Sequence, residues 1–110
     1  MVELRRGDPA GATNLKIGLF GRHPAGSPEA IEVRAFFPSG AGTTEDPVTG
    51  SLNAALAQWL LASGKATAPY TASQGTVLGR RGRVHVSTDG DGAVWIGGGT
   101  HTLISGSVLL

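Results

Sequence analysis

"SLNAALAQWLLASG" (residues 51–64) is the stretch on which the reading of this chain turns. Leu52, Ala54, Ala55, Leu56, Ala57, Trp59, Leu60, Leu61 and Ala62 would occupy most of the circumference of a helix, and Ala and Leu are strong helix formers. Thr49 or Ser51 is placed to cap its start, and Gly64 suits the position just past its end. A helix of this length falls short of the ~20 residues that span a bilayer. A helix that is apolar all round must be buried all round. The rest of the domain therefore has to wrap it.

The flanking segments supply the wrapping. "NLKIGLF" (14–20) and "IEVRAFF" (31–37) alternate with period two, as half-buried strands do, and the Pro- and Gly-rich stretch 21–30 joins them as a hairpin. The expected inward faces are Leu15, Ile17 and Leu19 on the first strand, and Ile31, Val33, Ala35 and Phe37 on the second. "PSGAGTTEDPVTG" (38–50) reads as a long loop, a type often functional in compact domains. After the helix, "GTVLG" (75–79), "RVHVS" (83–87), "AVWIG" (93–97), "HTLIS" (101–105) and "SVLL" (107–110) read as five short strands separated by turn signals. The expected fold class is α+β: a curled, mostly antiparallel sheet wrapped around one central buried helix. Residues 1–13 read as a flexible or extended segment, and 14–110 as a single domain.

Composition narrows the function classes. The 110 residues suit one core, with 40% hydrophobic and 15% charged residues and 18 glycines. A net charge of +1 provides no strong field for nucleic acid or membrane. The absence of cysteine removes disulfides, thiolate metal sites and thiol catalysis. "MVELRRGDPAGATNL" lacks the apolar core of a signal peptide. A cytoplasmic protein is the expectation.

The chemistry concentrates in "EDPVTGS" (45–51), immediately before the helix. A helix start presents unpaired N–H groups and a partial positive charge. Asp46, Thr49 and Ser51 either satisfy those donors as caps or belong to an anion site. In the second case the N–H groups near Gly50 and Ser51, with the Ser51 hydroxyl, hold a carboxylate or phosphate, and Gly50 allows close approach. Asp46 then acts beside it as a hydrogen-bond partner or proton relay.

Other candidates are weaker. Arg80, Arg81 and Arg83 read as a solvated hairpin turn, with RNA binding as a minor alternative. His23, His85 and His101 lack metal-ligand spacing. "LASGKAT" fails as a phosphate loop, because Trp59 stands where Gly is needed and Ala66 where Ser or Thr is needed. "VTGSLN" is not the G-x-S-x-G of a serine hydrolase.

"RAFFPSGAGTTEDPVTGSLNAALAQWL", "QGTVLGRRGRVHV" and "VWIGGGTHTLISGSVLL" together resemble the carboxyl-terminal domain of the PhzF-like proteins of phenazine biosynthesis, which share the diaminopimelate epimerase fold. The resemblance covers about residues 14–110. It implies a two-domain isomerase whose cleft binds a small carboxylic acid and moves a proton, with no metal or organic cofactor. On matching positions it implies Asp46 as the active-site aspartate. Gly50 and Ser51, with Thr49, would bind the substrate carboxylate, and Glu45 and Pro47 would shape the turn.

The family's main acid/base glutamate and a substrate-contacting histidine lie in the amino-terminal domain, of which this chain carries no copy. The resemblance thus leaves open whether this chain is an enzyme by itself. It implies a partner, either a missing amino-terminal half or a second copy in a homodimer. The alternative reading is a non-catalytic domain that binds small anions or self-associates.

Overall fold

The computed structural model describes residues 2–4, 16–40 and 42–110. The elements run β1 (Val2–Leu4), β2 (Lys16–Arg22), β3 (Ile31–Ser39), β4 (Gly42–Asp46), α1 (Gly50–Ala62), β5 (Tyr70–Gln74), a 3-10 turn (Thr76–Leu78), β6 (Gly82–Thr88) and β7 (Val94–Gly97). They form one open sheet in the order β1-β2-β3-β5-β6-β7, with β4 paired to β3. Every pairing is antiparallel except β3 with β5, which α1 joins as a crossover.

The chain is thus α+β with a single helix. The helix lies against one face of the sheet, where Leu52, Leu56, Ala57 and Leu60 pack with Ile31, Val33, Ala35, Ala72, Val84 and Val86. Leu56 and Leu60 are fully buried, each contributing roughly 1.5–3 kcal/mol. Burial all round the helix is not what this chain provides. Gln58 and Trp59 are exposed on the outer side. Trp59 is partly covered edge-on by Phe20, and the Lys65 ammonium lies 5.7 Å from its ring centroid.

Several elements depart from the sequence reading. β2 and β3 form the expected hairpin, and β3 buries Ile31, Val33 and Ala35 as anticipated. On β2 the inward face is the other one. Gly18 is buried beneath the helix, and a methyl group added there would come within 2.4 Å of Leu52 Cδ1. Close packing of Leu52 decides the face, so Ile17 and Leu19 lie half-buried on the opposite side. Leu15, and residues 5–13, lie outside the described residues, whereas Val2–Leu4 add an edge strand.

The expected loop 38–50 contains β4, which folds back on β3 with Ala35 opposite Asp46 and Phe36 opposite Glu45. The expected strand 75–79 is a 3-10 turn flanked by Gly75 (φ 84) and Gly79 (φ 71). Both lie in left-handed space that only glycine enters freely. The sheet position is taken instead by β5, which the sequence reading did not identify. The expected strands 101–105 and 107–110 pair with nothing among the described residues. A strand needs an edge to bond to, and this segment belongs to no element and is exposed.

Candidate functional site

Alternation along β4 sends its two neighbouring acids to opposite faces of the sheet. Glu45 turns away from the helix. Its carboxylate takes a two-pronged ion pair from Arg34, with Nε to Oε1 at 2.9 Å and Nη2 to Oε2 at 2.8 Å. That hydrogen-bonded guanidinium holds the Glu45 carboxyl below its ordinary range. Arg34 also sits 5.0 Å from the Phe36 ring centroid. Glu45 is therefore structural in this chain, fixing β4 to β3.

Asp46 turns toward the start of α1. Its Oδ2 accepts the Thr49 hydroxyl at 2.8 Å. The same hydroxyl accepts Gln74 Nε2 at 3.1 Å, and Gln74 Nε2 also donates to the Asp46 main-chain oxygen at 3.0 Å. Gln74 Oε1 accepts from Asn53 Nδ2 at 2.8 Å and from the Thr49 N–H at 3.2 Å. Asn53 Nδ2 also donates to the Thr49 carbonyl at 2.9 Å. Gln74 is fully buried and Asn53 is 2% exposed. Both ends of the Gln74 amide and the Asn53 Nδ2 are hydrogen-bonded, as burial of amides demands. The network locks β4, the helix start and the end of β5 together.

Thr49 is the residue before α1, yet no side chain caps the helix. The first-turn N–H groups are thus left for solvent or a ligand. Gly50 opens the helix, and a Cβ there would meet nothing within 4 Å. Ser51 is exposed beside it. Pro47 turns the chain between β4 and α1. Its carbonyl oxygen would lie 2.6 Å from a Cβ on Gly75, so Gly75 is required both by contact and by its φ of 84.

Asp46, Thr49 and Ser51 line one cavity of about 620 Å³, with Lys16, Ile17, Gly18, Ala35, Phe36, Phe37 and Leu52 as its other walls. That volume and its mix of apolar walls with a few polar groups suit a small ligand. An acceptor (Asp46), a hydroxyl (Ser51) and open helix N–H groups converge there. This set can orient an acid group and move a proton nearby. Among the described residues, no three His, Asp or Glu side chains gather to hold a metal ion.

The structure brings Asp46, Thr49 and Ser51 together, with Gly50 adjoining, and sends Glu45, expected to shape the turn, to the far face. Thr49 differs in kind. Its hydroxyl is committed to Asp46 and Gln74, so it positions the aspartate. Gln74 and Asn53 were missed. Asn53 carried a usable signal, being a polar side chain four residues after Thr49 inside an apolar run. Of the three clustered arginines, Arg83 is bound to Glu29 at 2.6 Å, while Arg80 and Arg81 are exposed.

No curated protein and no solved structure matches the chain. A family model described as "Phenazine biosynthesis-like protein" (PhzC-PhzF) matches residues 12–106, which includes the whole segment from Asp46 through α1 to β7. With the match running over most of its length, the chain belongs to the PhzC-PhzF family of phenazine biosynthesis-like proteins.

Proposed function

We propose that this domain supplies one wall of the active site of a cofactor-independent isomerase acting on a small carboxylic acid. The observation that carries this reading is the convergence of Asp46, Ser51 and the uncapped start of α1 on one cavity. The substrate carboxylate is held by the N–H groups at Gly50 and Ser51 and by the Ser51 hydroxyl. Asp46, held by Thr49, assists transfer of a proton to or from the adjacent carbon. The principal acid/base comes from the amino-terminal domain of the family's two-domain arrangement. In this reading the sheet belongs to an epimerase-type half, and the exposed Trp59 side of α1 is covered in the assembled protein.

The test mixes the chain with an amino-terminal half that bears the glutamate and follows solvent deuterium into a small carbon acid. Exchange is expected in the mixture only, and it disappears with Asp46→Asn. Absence of both complex and exchange overturns the reading.

The uncapped helix also supports a second reading, a non-catalytic binder of small anions. In that case, titration of acetate or phosphate shifts the Gly50 and Ser51 amide resonances, while no mixture catalyses exchange.

A further inference from the structure

Of the residues that line the cavity beside α1, two are charged: Asp46 and Lys16. The proton-transfer chemistry above employs the first and leaves the second without a task. Lys16 is the first residue of β2. Strand alternation puts it on the same face as Gly18, which lies beneath the helix. Asp46 stands opposite Ala35 and Ala35 opposite Gly18, so these three form one row across the sheet. Lys16 lies two residues along β2 from that row, at the far side of the cavity from Asp46. Two strand spacings across and two residue rises along the sheet put the Asp46 and Lys16 Cα atoms roughly 12 Å apart. Among the described residues no ion pair joins the two side chains.

The cavity therefore has two polar ends. One holds Asp46, Ser51 and the uncapped start of α1, and the other holds the Lys16 ammonium. Ile17, Phe36, Phe37 and Leu52 give it apolar walls. Its volume of about 620 Å³ is more than a carboxylate and one neighbouring carbon would fill. An ammonium on a flexible apolar stem meets an anion as a point charge, and its stem covers apolar wall. A single ammonium balances one negative charge, which matches a carboxylate. A phosphate dianion is held by several converging donors.

We infer that the substrate is a dicarboxylic acid, with one carboxylate at the start of α1 and the second on the Lys16 ammonium. This rests on the isomerase-type site proposed above and adds the substrate class to it. Lys16 is then a specificity residue: it holds the end of the molecule that does not react, and Asp46 works at the end that does.

The experiment titrates the isotope-labelled full chain with glutarate and with valerate, five-carbon acids that differ in the second carboxylate. Both are expected to shift the Gly50 and Ser51 amide resonances. Glutarate is expected to bind at least about tenfold more tightly, with a preference that narrows as salt is raised. Lys16→Met is expected to bring glutarate to the affinity of valerate and to leave valerate unchanged, with an unaltered far-UV circular dichroism spectrum. Lys16→Arg is expected to keep most of the preference. Equal affinity for the two acids in the native chain overturns the inference and leaves the one-carboxylate site standing. A preference that survives Lys16→Met overturns it as well. So does a Lys16→Met variant that weakens both acids alike, which would make Lys16 a support of the cavity wall. If neither acid moves the Gly50 and Ser51 amides, the inference falls together with the site on which it rests.

Discussion

The helix at Gly50–Ala62 and the segment at residues 101–110 are both apolar and carry almost no charge, yet one is packed and the other is bare. The difference is where each finds backbone hydrogen bonds. A helix satisfies its own N–H and C=O groups and needs only a surface to lie on. A strand needs a surface and an edge together. Within this chain the helix has one face of β3, β5 and β6 to pack on, while the last ten residues pair with no strand among the described residues. Apolar composition alone therefore does not say whether a segment belongs to the core of its own chain.

The contrast can be broken most sharply at its packed end. Leu56 has no exposed surface, so Leu56→Ala is expected to cost about 2–5 kcal/mol in urea unfolding through lost burial and an unfilled cavity. Next comes the amide network behind Asp46. Gln74→Leu is expected to cost about 1–3 kcal/mol, since Asn53 Nδ2 and the Thr49 N–H lose their acceptor in a buried place. Hydrogen exchange at the Thr49 amide is expected to quicken in that variant, which a general loss of packing elsewhere would not single out.

Acid is a gentler probe. Glu45 has a folded-state pKa below its ordinary 4.5 because Arg34 hydrogen-bonds its carboxylate. The ion pair thus adds stability that is fully present above about pH 4.5 and fades as the pH falls through the lower folded value. Glu32 acts in the same direction. Burial pushes its carboxyl up, but hydrogen bonds from Ser73 and Thr76 and the nearby His23 outweigh that. Glu45→Gln is expected to flatten part of the decline in urea midpoint between pH 6 and pH 3, and the Glu32 part remains. An unchanged slope would show that the ion pair adds nothing to folding.

The smallest effect is expected at the bare end. Leu103→Ala should shift urea unfolding by no more than about 0.5 kcal/mol, as exposed positions do. A larger loss would mean that the segment packs on its own chain.

Much of this contrast could be read from residue pattern, and the limits have physical causes. The helix was legible because a long Ala- and Leu-rich run has one good conformation. β3 was legible because its period of two is unbroken from Ile31 to Ala35. β5 was not, since "YTASQ" has no alternation of apolar residues. Its place comes from parallel pairing with β3 across the helix, a contact between residues some forty positions apart in the chain. β4 was hidden for a similar reason, being made of Gly, Thr and acids that take strand geometry only because β3 offers an edge. The site followed the same division. Asp46, Gly50 and Ser51 stand next to the helix start and could be placed, whereas Gln74 reaches them from β5 and could not.

One consequence lies in the branching of β3. Its first half, Ile31–Val33, bonds to β5, and its second half, Ala35–Ser39, bonds to β4 on the same side. The sheet forks at Arg34, and α1 begins in the opening. Asp46 and Glu45 are each assigned a face only by counting from this fork. Inserting one residue between Val33 and Arg34 would invert everything beyond it. Such an insertion would present Glu45 to the cavity and Asp46 to the far side, leaving the composition of the site almost unchanged while altering its reach by one methylene. The fork therefore works as a ruler for the adjacent acids, with an error step of a single residue.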